Sequence, residues 1–374
     1  MPPTLRVALD ATPLFGPRTG VGVYTHEVLT RLGRHHDLDV SAYAATWRGR
    51  GRLASLVPTG VRAVGRPMAA RPLRTAWAHV AAPPIEWWTG EIDLVHGPNY
   101  VVPPARRAAA LVSVHDLTPV RFPELCTADT LAFPALIHAA IDRGAWVHTG
   151  SHFVADEIRE HFEVDPERVV AIHDGLTPLA PADPVRGHEL AGGQRYVLAL
   201  GTVEPRKDLP GLVRAFDQVA ADDPVVRLVV AGPDGWGADA FRDAVDASRH
   251  KDRITRLSWV DDPDRDALVY GATVFAYPSR YEGFGFPPLE AMSAGVPVVS
   301  TSAGSLPEVL GDAAVLVPEG DVDALAAGLA ALLDDEDRRD ACRRAGLERV
   351  EQFSWDTAVG GLIDLYRRVV HSAR

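Results

Sequence analysis

Short apolar runs rich in valine, isoleucine and leucine recur along this chain, each separated from the next by a stretch of helical character, and the alternation is carried through twice. In the first half the runs predict strands over 5–10, 40–46, 93–96, 109–115, 146–151 and 169–173. In the second half they predict strands over 196–201, 226–231, 254–259, 274–278, 296–300 and 314–317. Most are almost continuously apolar, the pattern of parallel strands buried on both faces. Strands alternating with helices in this way form a doubly wound α/β sheet. Two rounds of it over 374 residues predict two such domains.

The expected boundaries are 1–178 for the first domain, 179–193 for a linker, 194–355 for the second domain and 356–374 for a final helix. The linker rests on the prolines and glycines between Pro178 and Gly193, which show no periodicity. For the final helix, Ser354 is a candidate N-cap, and Val359, Leu362, Ile363, Tyr366, Val369 and Val370 recur at helical spacing. Such an amphipathic helix must pack on one of the two domains.

Composition excludes several classes of function. The formal charge of −12 disfavours nucleic acid as a partner, because duplex binding needs cations to displace counterions. The two cysteines, Cys126 and Cys342, form no pairing motif, so neither a disulfide framework nor a cysteine zinc site is expected, which points to a reducing cytoplasm. No apolar run is long enough to span a membrane, and the start of the chain does not read as a signal peptide. A cytoplasmic protein, at most peripheral at the inner face of the membrane, is the expectation.

Ligands of doubly wound sheets bind beyond the carboxyl ends of the strands. The motifs fall there. After the 274–278 strand comes Glu282-Gly-Phe-Gly-Phe-Pro-Pro-Leu-Glu290. Gly283 and Gly285 allow close approach of a ligand to the backbone, and the paired prolines suit the first turn of a helix. The amides at that helix start suit an anion. Glu282 and Glu290 suit neighbouring sugar hydroxyls, since a carboxylate accepts two hydrogen bonds. After the 196–201 strand comes Gly201-Thr-Val-Glu-Pro-Arg-Lys-Asp208, which holds one of only two lysines in the chain, Lys207 and Lys251. Arg206 offers a fork and Lys207 a point charge, a combination suited to a diphosphate. Gly16-Pro-Arg-Thr-Gly20-Val-Gly22-Val-Tyr24 follows the first strand and offers amides to a phosphate, without the spacing of a dinucleotide fingerprint. His115-Asp116 and the string His96-Gly-Pro-Asn99-Tyr100 end two further strands. Asp116 could tune or orient His115.

Together, Gly-Thr-x-Glu-Pro-Arg-Lys-Asp and Pro-Ser-Arg-Tyr-Glu-Gly-Phe-Gly-Phe-Pro-Pro-Leu-Glu-Ala-Met resemble the GT-B retaining glycosyltransferases of family 4, the group 1 transferases. The likeness continues through Ser305-Leu-Pro-Glu-Val309, and His96-Gly-Pro-Asn-Tyr and Val114-His-Asp-Leu117 are similar to the mannosyltransferase-like branch. The resemblance covers nearly the whole chain. It implies a GT-B fold, two Rossmann-like domains facing across a cleft, with the final helix crossing back to the first. It implies a nucleotide-sugar donor held mainly by the second domain, GDP-mannose being favoured, and no cofactor. Arg206 and Lys207 would hold the diphosphate, Glu282 the transferred sugar and Glu290 the ribose. The amides of Gly283, Phe284, Gly285 and Phe286 would face the sugar or phosphate, with the backbone near Val260 at the base. Gly22 would close over the phosphate and His115 would lie beside the anomeric centre. His96, Asn99, Tyr100 and Asp116 would lie on the acceptor side. One departure is Asp174-Gly175, where relatives often carry Asn-Gly.

With no carboxylate pair placed for a double displacement, the resemblance favours same-face attack assisted by the leaving phosphate. The acidic clusters beginning at Asp261, Asp321 and Asp334 read as turns and helix ends, so no metal is expected. Between Trp47 and Trp77 stand Arg48, Arg50, Arg52, Arg62, Arg66, Arg71 and Arg74 with no acidic residue. Segment 47–77 suits a saccharide or polyprenyl-linked acceptor bearing phosphate, or an anionic membrane surface, as well as a plain solvated loop. A silent sugar-nucleotide-binding subunit, a GT-B epimerase or a phosphorylase are the alternatives. A phosphorylase usually needs a pyridoxal-binding lysine, and only two lysines exist here.

Overall fold

The computed structural model describes residues 4–16 and 20–373. In it the strands of each half assemble separately. β1 (Leu5–Asp10), β2 (Leu38–Tyr43), β3 (Arg62–Val64), β4 (Leu94–Gly97), β5 (Ala109–Val114), β6 (Trp146–Thr149) and β7 (Val169–Ala171) form one parallel sheet in the order β3-β2-β1-β4-β5-β6-β7. β8 (Tyr196–Leu200), β9 (Arg227–Ala231), β10 (Ile254–Leu257), β11 (Val274–Tyr277), β12 (Val298–Thr301) and β13 (Val315–Val317) form a second, in the order β10-β9-β8-β11-β12-β13. Central strands β4, β11 and β12 are buried at every residue, whereas edge strands β3 and β10 are mostly half-buried or exposed. That difference explains why β3, with Val64 its single buried residue, gives no apolar run in the sequence.

Each sheet reverses its strand order once, between β1 and β4 and between β8 and β11. At such a reversal the loops leaving the two neighbouring strands diverge to opposite faces and open a crevice at the carboxyl edge. The Gly201–Asp208 and Glu282–Glu290 motifs leave β8 and β11, and so flank the reversal of the second sheet.

The first unit comprises the chain through Gly175 together with Ser354 onward, and the second is Leu176–Phe353. Two boundaries differ from expectation. The passage between units falls at Gly175–Leu176, ahead of segment 179–193. That segment is not an irregular linker: Pro184–Ala191 is a helix of the second unit, capped by the Asp183 side chain accepting from Val185 N–H at 2.9 Å. Gly187, which reads as a breaker in the sequence, is the contact point. A Cβ there would sit 2.1 Å from the Ala267 carbonyl oxygen, so only glycine permits this close packing on the helix Asp262–Gly271.

The final helix runs Trp355–Ser372 and belongs to the first unit. Ser354 caps it by accepting from Asp356 N–H at 3.2 Å. All six periodic positions, Val359, Leu362, Ile363, Tyr366, Val369 and Val370, are buried. At roughly 2 kcal/mol per buried large apolar side chain, this face holds the helix far more strongly than its cap does. In the acidic clusters, Asp261, Asp321 and Asp335 each cap a helix through the side chain. Among the described residues no helix is long and apolar enough to cross a membrane.

Candidate active site

At the carboxyl edge of β8 the chain turns at Gly201 (φ 141°), makes a single turn over Pro205–Lys207 and enters the helix Leu209–Asp222. Asp208 stands at the helix start in the left-handed region (φ 41°), its carboxylate accepting from Gly211 N–H. This turn presents Arg206 and Lys207 to the loop that leaves β11. The two loops are joined at the backbone, Arg280 N–H donating to the Arg206 carbonyl at 2.8 Å.

Between them lies a compact set of charges. Glu282 accepts from Arg206 Nη1 through one oxygen at 2.7 Å and from Lys207 Nζ through the other at 2.6 Å. Arg206 also donates to the Tyr281 carbonyl and to Glu204, each at 2.7 Å. Lys207 donates to the Tyr277 hydroxyl at 2.6 Å and stands 4.4 Å from that ring's centre. Glu282 is only 7% exposed. Burial by itself would push its carboxyl up, but Arg206 and then Lys207 outweigh burial and bring its pKa down to about 2. Burial lowers Lys207, an effect Glu282 opposes. The pairs of Glu204 and Glu282 with Arg206 and Lys207 balance in formal charge. Any anion binding Arg206 and Lys207 would therefore compete with Glu282 for the same two cations.

The loop carrying Glu282 is braced from behind by Ser305. Its N–H and hydroxyl donate to the Glu282 carbonyl at 2.9 and 3.1 Å, and the hydroxyl also reaches the Phe284 carbonyl at 3.2 Å. Gly304 (φ 61°) makes this possible, since a Cβ there would fall 2.3 Å from the Glu282 oxygen. Phe284 points into the core, its ring 5.0 Å from Phe286 and 5.7 Å from Phe353. Glu290 is the fifth residue of the helix Phe286–Ser293. Burial raises its pKa, Arg265 opposing, and its carboxylate makes no hydrogen bond among the described residues. Val260 follows β10 at the same edge of the sheet, next to Trp259, which is 69% exposed.

In the first unit, His115 follows β5 and donates from Nε2 to the Pro98 carbonyl at 2.7 Å. A carbonyl only accepts, so this contact fixes the Nε2–H tautomer. Burial lowers the His115 pKa, leaving a neutral ring whose Nδ1 lone pair has no partner among the described residues. Such a nitrogen can accept a hydrogen bond. Gly22 lies in the first turn of the helix Gly20–Leu32, and Pro17, Arg18 and Thr19 of its motif fall outside the described residues.

The acceptor-side expectations need revision. His96 is 0% exposed, bonded at Nδ1 to the Tyr366 hydroxyl (2.7 Å) and at Nε2 to Ser113 (2.8 Å), so it is an internal strut and lines no surface. Tyr100 is buried, with left-handed backbone (φ 59°), a ring stacked on Phe133 at 4.6 Å and a hydroxyl accepting from Asp116 N–H at 3.2 Å. The Asp116 carboxylate accepts from Thr118 N–H at 2.8 Å and so shapes the loop. It raises the His115 pKa less than burial lowers it. Asn99 is half-buried, and its side-chain amide makes no hydrogen bond among the described residues. Tyr24, Ser113, His148, Tyr277 and Tyr366 lie outside the sequence-predicted site residues. The signal for two of them was a polar residue interrupting an apolar strand, as Ser113 does in Leu-Val-Ser-Val and His148 in Trp-Val-His.

Asp174 is 3% exposed, against Gly150, where a Cβ would come within 2.7 Å of its carboxylate. Burial raises its pKa from the ordinary 3.8 to about 7, with His173 opposing. The folded chain thus holds a proton that the unfolded chain releases, and stability falls as pH rises from about 4 to about 7. Asp174→Asn is expected to remove this slope, stabilising the protein by about 4 kcal/mol at pH 8 and by nothing near pH 4. Thermal unfolding at the two pH values checks it.

Residues 185–349 match the family model described as glycosyl transferases group 1, and residues 18–178 match that of glycosyltransferase family 4. The O-antigen chain mannosyltransferase B of Escherichia coli is 30% identical, covering 97% of this chain and 100% of its own. The O-antigen chain mannosyltransferase RfbU of Salmonella typhimurium is 26% identical, covering 81% of this chain and 84% of its own. The fold matches that of WaaG, a glycosyltransferase involved in lipopolysaccharide biosynthesis, with a TM-score of 0.72 at 16% identity over 97% of this chain and 99% of that one. It matches Anabaena Alr3699/HepE, solved with UDP and glucose, with a TM-score of 0.74 at 16% identity over 97% of this chain and 100% of that one.

Proposed function

The chain belongs to the group 1 glycosyltransferases, and from that premise we propose that it moves mannose from GDP-mannose to a hydroxyl of a saccharide or polyprenyl-linked acceptor, with retention and without a metal. The observation that carries the reading is the Arg206–Glu282–Lys207 cluster at the strand-order reversal of the second sheet. Two cations there meet the donor diphosphate, and Glu282, displaced from them, accepts from hydroxyls of the transferred sugar. Glu290 accepts from the ribose, and the amides of Gly283 and Gly285 add donors. Gly22 and His115 are assigned contacts with the donor phosphate and the sugar.

In the proposed step the bond between C1 and the phosphate oxygen breaks, and its electron pair goes to the leaving diphosphate. The acceptor oxygen forms the new bond on the same face of C1. Its proton passes to the departing phosphate oxygen. Charge grows on the diphosphate as the bond breaks, and Arg206 and Lys207 stabilise that growth. The mannose assignment is supported by the O-antigen mannosyltransferase relatives. Release of GDP from GDP-mannose by the purified chain in excess chelator, dependent on an added saccharide acceptor, tests the whole reading.

We place the phosphorylated acceptor or an anionic membrane surface at segment 47–77. Arg48, Arg50, Arg52, Arg62, Arg66 and Arg71 are exposed there, with Trp47 exposed beside them. Sedimentation with anionic vesicles at low salt distinguishes the two, since only membrane contact brings the protein down with lipid.

A further inference from the structure

The interior of the first unit holds a chain of polar side chains that no packing requirement explains. Tyr366, His96, Ser113, His148 and Tyr24 are each at most 2% exposed. They lie where β4, β5 and β6 end, beneath the loop carrying His115. Ser113 and His115 are two residues apart in an extended segment, the spacing at which side chains share one face of a sheet.

The hydrogen bonds run in one unbroken series. Nδ1 of His148 is 2.9 Å from Ser113 Oγ, and burial keeps the His148 ring neutral. With the His148 proton on Nε2, Nδ1 accepts from the Ser113 hydroxyl. Ser113 must then donate to His148, and so it accepts from His96 Nε2–H at 2.8 Å. His96 Nδ1 in turn accepts from the Tyr366 hydroxyl at 2.7 Å. In that arrangement all donors point one way, from the final helix toward His148, and each imidazole is neutral with one proton.

Tyr24 connects this chain to His115. Its hydroxyl is 3.4 Å from both Ser113 Oγ and His148 Nδ1, and its ring stacks on His148 at 6.0 Å. The same ring meets His115 edge-on at 5.3 Å. We propose that Tyr366 is a positioning residue for glycosyl transfer: as first donor of the relay it fixes His96, Ser113 and His148, which hold Tyr24 against His115. The proposal rests on the reading of His115 as a substrate contact.

The groups that face His96 are His148, His115, Tyr366 and Ser113, with Asp174 near Tyr24. Burial and the neighbouring histidines keep His96 neutral. Tyr366→Phe removes the donor to Nδ1 and leaves a buried lone pair that can be satisfied only by taking up a proton as pH falls. This variant is expected to lose about 10-fold in kcat at pH 7.5 with donor KM within about 2-fold. It should also gain an acid limb in the kcat–pH profile that the wild type lacks. His96→Phe removes the imidazole, and should lower kcat without that limb. Selective 15N-histidine NMR of the wild type should show His96 and His148 as neutral Nε2–H tautomers. Wild-type kcat and pH profile in Tyr366→Phe would overturn the positioning role, and other tautomers would overturn the relay. A wild-type chain with the expected tautomers that transfers no sugar would overturn instead the functional reading beneath both.

Discussion

Replacing both Arg206 and Lys207 by alanine is expected to lower kcat by about 1000-fold or more. The two cations are the partners of Glu282 in the free protein and the proposed partners of the diphosphate in the complex. At an effective dielectric of about 20, a unit charge at ion-pair distance is worth a few kcal/mol, and two of them acting on a leaving group account for that loss. The double variant should also be less stable, since Glu282 stays buried with both its cations gone. Burial then dominates, its carboxyl titrates well above its present value of about 2, and the destabilisation grows as pH rises from about 2 toward that raised pKa, where it reaches about 3 kcal/mol in full. Steady-state kinetics on protein shown to be folded by circular dichroism checks the first effect, and urea unfolding at pH 5 and pH 8 checks the second. Near-normal turnover would remove the phosphate assignment.

Glu282→Gln isolates the other half of the cluster. The amide keeps the size of the side chain but removes the negative charge that the diphosphate has to displace. Turnover is expected to fall about 100-fold, because an amide accepts weakly from sugar hydroxyls and cannot carry the carboxylate's charge toward an electron-poor C1. At the same time, binding of free GDP should tighten by about 10-fold, since Arg206 and Lys207 are no longer neutralised in the empty site. Opposite movement of turnover and product affinity identifies Glu282 as the competitor of the phosphate. Weakened GDP binding in this variant would mean that Glu282 orders the cations rather than competing for them. Isothermal titration with GDP decides between the two.

How far the sequence reveals this architecture varies with burial. The central strands are legible because two buried faces demand uninterrupted apolar residues, as in Val274–Tyr277 and Leu94–Gly97. The edge strand Arg62–Val64 is not legible, because an edge needs only one buried residue. The helix Pro184–Ala191 was hidden by Gly187, whose role is a close approach to Ala267 that involves residues far along the chain. Within the site, the residue types of both motifs are visible, and so is their position after strands. Their mutual pairing is not: Lys207 and Glu282 are 75 residues apart and meet only because β8 and β11 become neighbours at the order reversal. His96 looks like a surface histidine at a strand end until Tyr366, 270 residues later, returns on the final helix to bond it.

The most direct test of the donor-site assignment is acceptor-dependent GDP release from GDP-mannose, measured in excess chelator on the wild type and on the Arg206→Ala, Lys207→Ala variant side by side. The expected result is sustained release by the wild type, an α-linked mannosyl product from the α-linked donor, and release by the variant reduced about 1000-fold. Release that survives loss of both cations, or a wild type that consumes no nucleotide sugar while remaining folded, would contradict it.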